Sequence, residues 1–158
     1  MRIFIYSICI TFAFSCLAKG NDLPYFQDFA VTNIFKGKSA AVDLTSDPEA
    51  HHYRTMLRRQ AAEGPDFAGH YKIAIWGCGS ECEAFAIEDS KTGKVYFSRE
   101  LPYVSWTGWE GTNEGLDYRI NSKLLILHGR PEEKPQIGIF YYVWDDNKLR
   151  LIRSDLQK

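Results

Sequence analysis

Three residues in the middle of the chain have the types needed for nucleophilic hydrolysis: His70, Ser80 and Asp89. A histidine base needs a carboxylate to orient it and a hydroxyl within hydrogen-bond reach. Asp66, Glu81, Glu88 and Asp89 supply carboxylates, and Ser80 is the serine of a tight turn. The competing reading gives His70 a structural role, donating to a loop carbonyl at a strand entrance. Cys78 and Cys82 form the second constellation. Their C-x3-C spacing across a glycine-rich loop is within disulfide range. Redox pairs prefer C-x-x-C, and structural zinc wants four ligands that His51, His52, His70 and His128 supply only through long-range folding. The expectation is a disulfide worth about 2 kcal/mol on the chain-entropy view, with no metal and no cofactor. The third constellation is aromatic. Trp106 and Trp109 lie in a polar, glycine-containing stretch, where rigid indoles offer contact area to a protein or a sugar. With Gly77, Gly79, Ser80 and the acidic Glu81 of the cysteine loop they make the expected binding surface. Glu81 and Glu83 otherwise read as solvated surface, and Trp76 and Trp144 as candidates for the core.

The elements that must hold these residues follow from periodicity. Residues 70–76 alternate, with Tyr71, Ile73 and Ile75 on one face and His70, Lys72, Ala74 and Trp76 on the other, the period of a strand. Gly77-Cys78-Gly79-Ser80 breaks the pattern, which resumes at residues 84–87. Asp89-Ser90-Lys91-Thr92-Gly93 then turns the chain into Val95-Tyr96-Phe97, with Gly93 at the left-handed position of a bulged hairpin turn. Before this meander, residues 38–44 read as a first strand. Ser46-Asp47-Pro48-Glu49 reads as a capping box opening a helix that runs to about Ala62, with Ala50, Tyr53, Leu57 and Ala61 as its apolar stripe. Arg54, Arg58 and Arg59 fall on other faces, as solvated surface.

Residues 98–115 are the least regular stretch, expected as a lid, a binding loop or an Ω-loop packed on itself. Strands are expected again over residues 116–120, 123–128, 136–144 and 148–152, the last two joined by Asp145-Asp146-Asn147. The fold class is therefore α+β. It is a mainly antiparallel, strongly curved sheet or partial barrel of about six or seven strands, with one N-terminal helix packed on it.

The chain has 158 residues and opens on a short basic start, an apolar run over residues 3–14, and small residues at Cys16 and Ala18. This reads as a signal peptide over residues 1–18, leaving a single domain over residues 19–158 that begins at Lys19. A membrane anchor is the alternative, and a lipoprotein site at Cys16 ranks below both because Phe14 is bulky for it. Cys9 and Cys16 leave with the leader. Lys and Arg number 19 against 20 Asp and Glu, so no basic excess exists to neutralise nucleic-acid phosphates or to hold an anionic membrane. No nucleotide-binding glycine fingerprint, zincin motif or nucleophile elbow is present.

Phe67-Ala68-Gly69-His70-Tyr71, then Trp76-Gly77-Cys78-Gly79 with Cys82, then Asp89 with Thr92-Gly93 and Val95-Tyr96, resembles a group of small exported bacterial proteins. Those proteins share F-A-G-H-Y, W-G-C-G-x-x-C and D-x-x-T-G-x-V-Y and have no established activity. The likeness covers residues 67–96 and, loosely, 118–127; it implies export and a shared fold. Small periplasmic lysozyme inhibitors are similar in size, export and strand content, but their Ser-Gly-x-x-Tyr motif is absent here. Two functions follow as expectations. One is a periplasmic or secreted, non-enzymatic binding or inhibitory module for an envelope protein or glycan. The other is a small envelope hydrolase using His70 with Ser80 or a nearby carboxylate.

Overall fold

The β-branched and aromatic run at the middle of the chain forms the long hairpin on which the rest is hung. Strand β1 (Tyr71–Gly79) and strand β2 (Cys82–Asp89) pair antiparallel from Tyr71↔Asp89 to Gly79↔Cys82. Both faces of this hairpin are covered at its base, so burial there runs continuously, over residues 72–74 and 85–89, instead of alternating. Ile73, Phe85 and Ile87 enter the main core, while Ala74 and Ala86 pack on the other side under Ala50 and Leu57. The computed structural model describes residues 22–132 and 134–158. The expected leader over residues 1–18, with Cys9 and Cys16, and the expected mature start at Lys19 lie outside the described residues.

Six further strands complete the sheet among the described residues: β3 (Val95–Tyr96), β4 (Tyr103–Ser105), β5 (Gly115–Tyr118), β6 (Leu124–Pro131), β7 (Gly138–Asp145) and β8 (Lys148–Leu156). Their order is β1-β2-β4-β6-β7-β8, with β3 beside β2 and β5 beside β6, in one antiparallel sheet that does not close. The sheet curls around a core of Phe67, Phe85, Leu101, Leu125, Leu127, Phe140 and Trp144 with their neighbours. On the outer face of β6–β8, Phe26 and Phe29 of a 3-10 turn cover Leu124, Tyr141 and Val143. The α+β, sheet-dominated class is thus as the sequence implies, with eight strands among the described residues instead of six or seven.

Both expected tight turns form as their chemistry demands. Gly93 has φ 79° and its N–H returns to the Asp89 carbonyl at 2.7 Å, closing the turn into β3. Asp146 and Asn147 have φ 48° and 58°, the pair of left-handed residues a two-residue hairpin needs between β7 and β8.

Several expectations are corrected. The helix is not N-terminal and is shorter: α1 spans Arg54–Ala61, after the 3-10 turn Phe26–Phe29 and a long irregular approach. Ser46 caps nothing, because its hydroxyl donates to the Asp43 carbonyl at 2.6 Å and accepts the Val95 N–H at 2.9 Å. Residues 47–53 make successive turns before the helix proper begins. The predicted stripe nevertheless faces inward: Ala50, Leu57 and Ala61 are buried and Tyr53 is half-buried. Residues 38–44 form no strand; they make a single parallel bridge, Asp43↔Lys94. Residues 98–115 are not wholly irregular either, since they contain β4, the link between the two halves of the sheet.

The outer edge of β1 is closed by side chains. Gln60 at the end of α1 accepts the Ile75 N–H at 3.0 Å and donates to its carbonyl at 2.6 Å, and Asp66 accepts the Ile73 N–H at 2.9 Å. An exposed strand edge would otherwise offer these groups to another chain.

Candidate functional site

At the far end of β1 the strand does not break where the glycines suggest. It continues through Gly79, and the turn itself is Ser80–Glu81, with Glu81 in the left-handed region at φ 52°. The register shifts between Gly77↔Glu83 and Gly79↔Cys82, leaving Cys78 as the extra residue of a bulge. That bulge sets Cys78 and Cys82 with Cα atoms 5.3 Å apart, joined by a disulfide. Gly77, Gly79, Ser80 and Glu81 are all exposed at this tip.

The tip is fastened to the tryptophan loop. Cys82 pairs with Ser105 of β4, and the Trp106 N–H donates to the Glu81 carbonyl at 3.1 Å. Beneath, Gly129 of β6 admits the loop backbone: a Cβ there would lie 2.3 Å from the Ser105 carbonyl oxygen. Trp106 and Trp109 are half-buried, because their rings lie back on the loop's own glycines, Gly115 and Gly111. The Trp109 indole N–H donates to the Asn113 carbonyl, and its ring meets His128 at 6.1 Å between centroids. Arg130 donates to the Thr107 carbonyl at 3.2 Å and Gln157 to the Gly108 carbonyl at 3.2 Å. Burial, then Glu114, pushes the half-buried Glu83 carboxyl up; burial holds the His128 imidazole down against Asp117. The loop is therefore an Ω-loop closed on itself and strapped to β6 and the C-terminus.

Reduction or Cys82→Ala should loosen the tip and residues 105–107 while costing at most about 2 kcal/mol of global stability. Hydrogen exchange with denaturant unfolding checks this. Loss of protection along the whole of β1 and β2 would contradict it.

Sequence alone did not point to the aromatic groove on the outer face beside the tip. Tyr53 and Trp76 stack with centroids 4.4 Å apart, and Phe97 lies 6.1 Å from Trp76. With Cys78, Ala84 and Tyr103 they line a groove of about 540 Å³. The signal was present in the stripe that carries Tyr53 and in Trp76 at the far-face position of the strand.

His70 sits at the opposite end of β1. Ser80, His70 and Asp89 do not converge, because the nine residues of β1, about 30 Å of extended chain, separate Ser80 from His70. His70 and Asp89 do approach, with Nε2 3.8 Å from Oδ1. The Asp89 carboxylate is already engaged in its turn, accepting the Lys91 N–H at 2.9 Å and the Thr92 hydroxyl at 2.8 Å. Burial, then the Lys91 ammonium, holds the His70 imidazole below its ordinary pKa, against the pull of Asp89. Ser90, whose N–H donates to the His70 carbonyl at 2.9 Å, is fully buried. The turn that delivers His70 is under strain: Ala68 has φ 44°, a conformation that costs a non-glycine residue about 1 kcal/mol or more.

Two buried polar groups on β1 and β2 contrast. Burial works against the charge on Lys72, but hydrogen bonds to Asp66 at 2.8 Å and Glu63 at 2.9 Å outweigh it and raise its pKa. Glu88, opposite it in register, is fully buried and neither carboxylate oxygen has a partner among the described residues. Burial, then Asp89, pushes its pKa to about 7, with Lys72 opposing.

Among the described residues no three His, Cys, Asp or Glu side chains converge as metal ligands, and no helix is long and apolar enough to cross a membrane. No family model, curated protein or solved structure matches the chain.

Proposed function

We propose that the chain is an exported cell-envelope protein, periplasmic or secreted. Its single domain would act as a non-enzymatic binding or inhibitory module for an envelope protein or glycan. The contact surface is the disulfide-closed tip with the Trp106–Trp109 loop. One observation carries this reading: the hydrogen bond from Trp106 to Glu81, with the Cys82↔Ser105 pairing, joins the two into one end of the molecule. A surface held in advance loses little conformational freedom on binding, which raises affinity for a given contact area. The adjoining aromatic groove adds a second face to the same end.

Export is supported by the leader-like start of the sequence and is compatible with the disulfide. Intact mass of the protein recovered from the envelope or medium should correspond to a chain starting at Lys19. A lipid-modified Cys16 or a retained Met1 would refute that processing. Binding is tested by capture of solubilised envelope proteins and by co-sedimentation with purified cell-wall sacculi. Cys82→Ala should weaken whichever contact the wild type makes.

A further inference from the structure

The Phe67–Tyr71 stretch, carrying the F-A-G-H-Y resemblance, lies at the other end of β1 from the proposed binding surface. Its Ala68, His70 and Tyr71 line a polar cleft of about 650 Å³ built from segments far apart in sequence, with residues 30–33, the turn at Lys91 and the β7–β8 turn. We propose that this cleft binds a small zwitterion, a free α-amino acid or a dipeptide, with Lys91 taking its carboxylate and Asp146 its ammonium.

The wall of the cleft is aromatic and fixed. His70 and Tyr71 lie 4.2 Å apart at 33°, and Trp144 meets Tyr71 edge-on at 5.3 Å. The Tyr71 hydroxyl donates to Asn147 Oδ1 at 3.2 Å, which ties this wall to the β7–β8 turn. Ala68 and Gly69, both in the left-handed region and both buried, hold the turn that presents His70.

Charge then selects the ligand. Lys123 and Asp145 neutralise each other across 3.5 Å, and the Asp89 carboxylate is taken up by its own turn. Lys91 and Asp146 remain, both exposed, both lining the cleft, and neither in an ion pair among the described residues. His70, held toward its neutral form by burial and by Lys91, adds a donor and an acceptor without a third charge. A simple anion would face Asp146 unmatched, and a simple cation would face Lys91. A molecule carrying both charges satisfies both, and the aromatic wall accepts its apolar part.

The test is titration of the full mature chain with alanine, alanylalanine, acetate and methylammonium, followed by NMR of the His70 ring and by calorimetry. Alanine or alanylalanine should shift the His70 resonances saturably, and the tighter of the two identifies the ligand length. Acetate and methylammonium should bind at least tenfold more weakly. Lys91→Gln and Asp146→Asn, both at exposed positions and the second keeping a residue tolerant of the turn, should each weaken binding at least tenfold without moving the unfolding midpoint. Trp109→Ala should leave it unchanged, so this site and the tip surface fail or hold separately. Absence of a saturable shift, equal binding of acetate, or indifference to both charge variants would overturn the proposal.

Discussion

Glu88→Gln should stabilise the protein relative to the wild type by a margin that grows to about 3 kcal/mol as pH rises from 4.5 through 7. The sign follows from the proton count. The native state holds the Glu88 proton up to about pH 7, whereas the unfolded chain releases it near the ordinary value of 4.5. Between those values the native state binds more protons, so wild-type stability from this group is full below pH 4.5 and falls as pH rises. Above about pH 7 the loss is complete and the curve flattens. Asp89 and Lys72 are present in both proteins, so subtracting the two stability curves isolates the buried carboxyl. Denaturant titrations at several pH values between 4.5 and 8 measure it. A difference that stays flat over that range would mean the carboxyl is not held neutral inside.

Trp109→Ala is expected to weaken partner binding by about 2 kcal/mol or more, roughly 30-fold, the scale of an interface hot spot. Its effect has two parts, lost contact and lost order. The indole closes the loop through Asn113 and covers Gly111, so truncation frees the segment that Trp106 anchors to the tip. The fold should survive, because Trp109 belongs to none of the three core clusters. Trp109→Phe keeps a ring but loses the N–H donor and should fall between wild type and alanine. Global unfolding of Trp109→Ala, or binding equal to wild type, would count against a surface there. His70→Ala should leave this binding unchanged.

What the sequence could reveal depended on how local the determining interactions are. The β1–β2 hairpin, the Gly93 turn and the Asp146–Asn147 turn are set by neighbouring residues, and their periodicity and turn chemistry were readable. The disulfide was also accessible, since the other two cysteines fall in the stretch that reads as a leader. The helix start is not legible locally, because Ser46 satisfies the Val95 N–H, 49 residues away, a use that no local pattern announces. The three-residue β4 escaped for a similar reason: Tyr103–Ser105 becomes a strand through partners at Cys82 and Arg130. At the site, residue types alone put the tip and the tryptophans on one expected surface, while the contacts that make them neighbours, Cys82↔Ser105 and Trp106 to Glu81, are long-range. The separation of Ser80 from His70 was available from strand length alone, once β1 was allowed to run through its glycines. Glu88 gave no sign in advance, because full burial of a charged residue is set by tertiary packing and no local pattern announces it.

Site-directed photo-crosslinking in intact cells tests the central claim most directly. A photoreactive residue is placed in turn at Ser80, at Glu110 and at Arg58, all exposed, the first two on the tip and its loop and the third on the helix. Irradiation should give the same protein or glycan adduct from Ser80 and Glu110, lost when Trp109→Ala is added, and none from Arg58. Adducts from Arg58 alone, or none from either tip position in cells where the protein is abundant, would contradict the assignment of this end as the binding surface.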